Sequence, residues 1–148
     1  MINPLLDTNT TLPDFASVRP EHVAPAMETL VAQAEQALAQ VTAEDFPADW
    51  LAVSRVLDVA TERLSTAWGV VGHLNAVADT PELRAAYNEA LPKITAFWTA
   101  LGSSDALFAK VQRMDAEALN PEQQRARELG LRNFVLGGAQ LQGLAKQR

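Results

Sequence analysis

Apolar residues in this chain return every three or four positions, and nowhere do they alternate over a useful length. Val23, Met27, Leu30, Val31, Ala34, Leu38 and Val41 form one stripe. Trp50, Val53, Leu57, Ala60, Leu64, Ala67, Trp68, Val71 and Leu74 form a second, and Leu83, Tyr87, Leu91, Ile94, Phe97, Trp98 and Leu101 a third. Such spacing places side chains on one face of a helix, whereas a half-buried strand needs a period of two. The pattern predicts an all-α fold. Composition agrees: 48% of the residues are apolar, alanine and leucine dominate them, and the β-branched and aromatic residues that favour strands are sparse. At 148 residues the chain is one ordinary domain, able to bury roughly two-thirds of its unfolded surface without metal or disulfide support. It has no cysteine, which removes disulfides, thiolate metal sites and thiol catalysis.

Breaks between the stripes have identifiable chemistry. Residues 1–18 read as an extended arm, because Pro4 and Pro13 oppose helix and residues 7–11 are of turn type. The apolar Leu5, Leu6, Leu12, Phe15 and Val18 suggest that the arm packs on something. Residues 19–148 form the helical domain. Its first helix is expected from Pro20 to Thr42, with proline in the first turn and Glu21 at the positive end of the helix dipole. The second is expected from Pro47 to about Asp79, kinked or broken near Gly69, because Gly69 and Gly72 each cost about 1 kcal/mol against alanine. Thr80-Pro81-Glu82 restarts the chain: threonine caps, proline fits the first position and glutamate faces the dipole. Pro92 predicts a bend near Asn88–Leu91, and Gly102 ends that helix. A short helix carries Leu107, Phe108, Val111 and Met114. Asn120-Pro121-Glu122 then repeats the start signature, and Gly137-Gly138 ends the last helix. The expectation is an antiparallel, bundle-like array of five or six helices, two of them kinked.

Candidate chemistry is thin. The histidines are His22 and His73; no HExxH pair exists, and neither histidine has a partner at helical spacing, so no zinc set of three ligands is indicated. His73 reads as a packed or capping residue, and Asn75 as one able to hold a turn or helix end. Glu44-Asp45 falls in a linker, and Glu28 and Glu35 lie one heptad apart on an exposed face. Serines 54, 65, 103 and 104 lack a Gly-x-Ser-x-Gly setting. No Lys-Ser/Thr follows Gly137-Gly138 as a phosphate loop requires. Trp50, Trp68 and Trp98 sit on apolar stripes and read as core. No catalytic, cofactor-binding or metal-ligating residue is assigned.

The formal net charge is −6, which disfavours nucleic acid, since phosphate contacts need clustered Lys and Arg. Residues 1–120 carry sixteen acids and seven bases, and residues 121–148 two acids and five bases. That basic stretch reads as a solvated helix face, with docking onto something acidic, in this chain or in a missing part, as the alternative. No apolar run approaches the roughly 20 residues of a membrane span, and the first residues have no basic start, long apolar core or cleavage site. A cytoplasmic protein is expected.

Three segments in order carry a resemblance: "FASVRPEHVAPAM" (15–27), "HLNAVADTPELRAAYNEALPKI" (73–94) and "LRNFVLGGAQLQGLAKQR" (131–148). Together with the arm "NPLL…LPDF" they resemble the N-terminal region of zinc metallo-oligopeptidases of the thimet oligopeptidase family, most nearly its bacterial branch. The similarity runs from Asn3 to Arg148. It implies a parent several times longer, mostly helical, with two lobes around a deep channel that admits short peptides and excludes folded proteins. Zinc in that parent is held by an HExxH helix and a further glutamate, all downstream of the matched region, so none of those ligands transfers to this sequence. The expected role is that of an N-terminal helical domain walling the channel, a piece of a longer enzyme and silent alone. Its expected partners are the remainder of the peptidase and short peptides, with some self-association. A stand-alone helical interaction module is the alternative.

Overall fold

The computed structural model describes residues 3–7 and 12–138. Among the described residues the fold is all-α. A 3-10 turn, Phe15–Ser17, precedes α1 (Pro20–Thr42), α2 (Trp50–Val53), a π turn (Ser54–Asp58), α3 (Val59–Val77), α4 (Pro81–Gly102), α5 (Asp105–Gln112) and α6 (Pro121–Leu136). The chain divides into two compact units. One holds residues 1–35 and 59–96, the other 36–58 and 97–148.

Caps account for most boundaries. Thr80 Oγ1 accepts from the backbone N–H of Leu83 at 3.1 Å, which starts α4 as its sequence indicates. At α6, Asn120 Oδ1 accepts from Gln123 N (2.8 Å) and Gln123 Oε1 from Asn120 N (3.1 Å), a reciprocal capping box. Ser104 caps α5 through Leu107 N. The second helix starts later than Pro47, at Trp50, because the Asp49 carboxylate accepts from Ala52 N at 2.8 Å. α6 ends as expected, and among the described residues Gly138 is the one that uses glycine's freedom, with φ 96°.

One expected irregularity falls elsewhere. The chain runs helically through Gly69 and Gly72 to Val77. Gly69 is exposed, while Leu64, Ala67, Val70 and Val71 are buried, and that burial outweighs about 1 kcal/mol per glycine. The departure from α geometry comes earlier, as the π turn, in a stretch without glycine or proline. Pro92 lies inside α4, as the position of its stripe indicates.

The first unit packs the arm and parts of α1, α3 and α4. Its core includes Val23, Met27, Leu30, Leu64, Val71, Leu83 and Ile94. Arg63 on α3 donates to Gln33 Oε1 on α1 at 3.3 Å, and Trp68 on α3 stacks on Tyr87 of α4 with centroids 4.6 Å apart. Asn3 fastens the arm. Its Nδ2 donates to the His22 carbonyl at 2.8 Å, and its Oδ1 accepts from Leu5 N at 3.0 Å. Leu5 is buried as expected, but Leu12 and Phe15 are exposed, so the arm is seated at its near end.

The second unit packs Val41, Val53, Leu57, Phe97, Leu107, Phe108 and Met114. α6 meets it differently: the helix has no buried residue. Phe134 rests against Phe108 with centroids 5.8 Å apart, and the end of the helix approaches Gly102, whose carbonyl would lie 3.1 Å from a Cβ on Gly137.

Candidate functional site

Several residues weighed for chemistry have local structural roles. His22 lies in the first turn of α1, where its Nδ1 accepts from the backbone N–H of Arg19 at 3.1 Å. A ring nitrogen that accepts a hydrogen bond is the unprotonated one, so His22 acts as a cap. His73 is exposed on α3, its ring edge against Phe15 at 5.4 Å. Asn75 lies inside α3, and its Oδ1 is buried without a partner among the described residues. Ser103 donates to the Thr99 carbonyl, and Ser104 caps α5.

Glu28 and Glu35 do not act as a pair. Lys93 Nζ lies 2.7 Å from Glu28 Oε1, joining α4 to α1. The hydrogen bond from the Lys93 ammonium, and then its charge, hold the Glu28 carboxyl below its ordinary value; the same contact raises Lys93. Stability from Glu28 is therefore present above the ordinary carboxylate range and fades as pH falls through its lowered pKa. Both side chains are more than half exposed, which keeps that contribution small. Arg84 pairs with Asp79 beside the α4 start, and that carboxylate raises the guanidinium.

The tryptophans correct an expectation. None is buried. Trp50 and Trp68 are half-buried, and Trp98 is 36% exposed with its ring edge-on to Phe97 at 5.2 Å. They sit on the shoulders of their stripes, where a large ring covers the core without entering it.

Spacing alone missed two clasps in the second unit. Lys110 is 1% exposed. Its ammonium donates to the carbonyls of Ala43 (2.8 Å) and Phe46, and lies 5.9 Å from the centre of the Phe46 ring. It thereby holds the loop that leaves α1. The available signal was its position three residues after Leu107, on the apolar face of α5. Arg127 of α6 donates from Nε to the Val111 carbonyl at 3.1 Å and from Nη2 to that of Gln112 at 2.9 Å. These belong to the last turn of α5, whose carbonyls attract a cation.

Zinc can be tested against this geometry. Among the described residues no group of three or more His, Asp or Glu side chains comes together as a metal cage. One nitrogen of His22 is already engaged. The described residues do not fit a zinc site. No helix among them is long and apolar enough to cross a membrane.

Comparison with known proteins places these helices in context. Residues 27–146 match the family description "Neurolysin/Thimet oligopeptidase, N-terminal domain". Oligopeptidase A of Salmonella typhimurium is 34% identical over 152 residues, covering 100% of this chain and 22% of that protein. A probable cytosolic oligopeptidase A of Arabidopsis thaliana is 36% identical over 144 residues, covering 95% and 20%. Oligopeptidase A of Escherichia coli is 33% identical over 152 residues, again covering 100% and 22%. The chain thus spans about a fifth of the length of these relatives.

Proposed function

The chain belongs to the neurolysin/thimet oligopeptidase family, within its N-terminal domain, and from that we propose that it serves as a helical wall of the substrate channel in a zinc-dependent peptidase of short peptides. The observation that carries this proposal is the full-length match to proteins about five times longer. The side chains support it as well: His22 and Ser104 are taken up in caps, and Glu28 in a tie between α1 and α4. Wall residues contribute to catalysis by shape, restricting which substrates reach a reacting centre. Metal-activated water and its glutamate base belong to the remainder of the parent. Its location is cytoplasmic, in keeping with the name of one relative.

The test is a peptidase assay of the chain alone, with zinc and a quenched fluorescent short peptide. No turnover above buffer is expected. Turnover lost on replacing His22 or His73 with alanine would overturn the proposal. A second proposal, the interaction module, is favoured by α6, which buries no residue and leaves Leu136 78% exposed. Self-association through such apolar residues would appear in light scattering at high concentration, and a monomer there would count against it.

A further inference from the structure

Between α2, the π turn, α5 and α6 of the second unit lies a cavity of about 180 Å³, open to solvent. Trp50, Leu57, Met114 and Phe134 give it apolar walls, of which Leu57 and Met114 are buried. Gly130, in the interior of α6, lines the same space. We propose that this cavity binds one neutral aromatic ring.

Three features of the second unit converge here. The first is Gly130. A glycine inside a helix costs about 1 kcal/mol against alanine. No tight backbone approach accounts for this one, since a Cβ on Gly130 would meet nothing within 4 Å. What the missing side chain leaves is room. The second is the π turn, which contributes Ser54 and Leu57 to the lining. Its five residues include no glycine or proline, and single π turns within helices are frequent at functional sites. The third is charge. Two charged residues line the cavity, and both have partners: Arg127 donates to the Val111 and Gln112 carbonyls, and Asp58 is engaged as well. An ion brought into this apolar space would lose water without a counter-charge waiting for it, so a neutral guest is favoured.

Size and wall chemistry narrow the guest further. A closed apolar cavity of about 150 Å³ takes benzene, so this one suits a single ring with a short substituent. The rings of Trp50 and Phe134 favour edge-on or offset contact with another ring, and the Met114 thioether packs against a ring edge. An aliphatic guest of equal size gains burial alone.

Benzyl alcohol is the probe, cyclohexylmethanol its aliphatic counterpart, and N-acetyl-phenylalaninamide carries the same ring on a peptide unit. Each is titrated into the chain while backbone amide shifts are recorded. Benzyl alcohol is expected to shift the amides of Leu57, Met114, Gly130 and Phe134 and to saturate. It should bind roughly two- to tenfold more tightly than cyclohexylmethanol. N-acetyl-phenylalaninamide identifies the source of the ring: equal or tighter binding than benzyl alcohol assigns it to a peptide side chain, weaker binding to a free small molecule, and the site stands in both cases. Gly130→Leu, which fills the cavity from a helix position that prefers leucine to glycine, should keep the fold and abolish the shifts. Trp50→Leu should reduce the difference between the two alcohols to less than about twofold. Should either variant fail to fold, the comparison of the alcohols in the unaltered chain decides. Equal binding of the two alcohols there, undiminished binding by a folded Gly130→Leu variant, shifts centred elsewhere or no shifts at all would each overturn the proposal.

Discussion

Replacing Lys110 with methionine is expected to destabilise the chain by about 2–3 kcal/mol, lowering its thermal midpoint by roughly 5–10 °C. Methionine keeps most of the apolar stem and removes the ammonium. What is lost is the pair of hydrogen bonds to the carbonyls of Ala43 and Phe46 and the contact with the Phe46 ring. Bonds from a charged donor are worth about 1.5–3 kcal/mol each, but two effects reduce the sum. The buried ammonium has already been stripped of water at a cost. The two loop residues are also only half-buried, so their carbonyls can regain some solvent. Lys110→Ala should lose more, because it also removes the buried stem and leaves a cavity where that stem lay. Urea denaturation of both variants checks this. A methionine variant as stable as the parent would mean that desolvation of the ammonium cancels the clasp.

Arg127→Ala should act on one helix rather than on the whole chain. α6 is 16 residues long and buries none of them. A helix of that length is marginal alone, so its order depends on what fastens it. The guanidinium on the Val111 and Gln112 carbonyls is one fastening, and Phe134 against Phe108 is another. Without the first, amide exchange across residues 121–136 should accelerate by about tenfold or more, with the global midpoint nearly unchanged. Arg127→Lys should recover little, since a point charge on a flexible stem does not reproduce a forked donor. Unchanged exchange in both variants would show that the aromatic contact suffices.

These clasps mark where sequence reasoning stopped. The bounds of α1, the Thr80 and Asn120 caps and the glycine end of α6 were legible, because capping is local chemistry between residues two or three apart. The π turn at Ser54–Asp58 was not. Its residues carry no breaker, and such turns are set by packing rather than propensity. Gly69 misled for the complementary reason: propensity is a weak prior that burial of Leu64, Ala67 and Val71 overrides. Lys110 was invisible as a functional group, since its partners lie 64 and 67 residues away. Arg127 was read as part of a solvated basic face, yet its guanidinium caps a neighbouring helix. The cavity against α6 likewise joins residues far apart in the chain, and no local pattern announces it.

The family resemblance was legible at a different level, through short segments in a fixed order, and the proposal of a channel wall rests on it. The most direct measurement of that claim is a replacement. The corresponding N-terminal fifth of Escherichia coli oligopeptidase A is exchanged for this chain, and hydrolysis of a short quenched peptide is compared with that of a folded protein substrate. A channel wall should give a chimera that cleaves the short peptide and leaves the folded protein intact. A soluble, folded chimera that cleaves neither, or one that now degrades the folded protein, would contradict it.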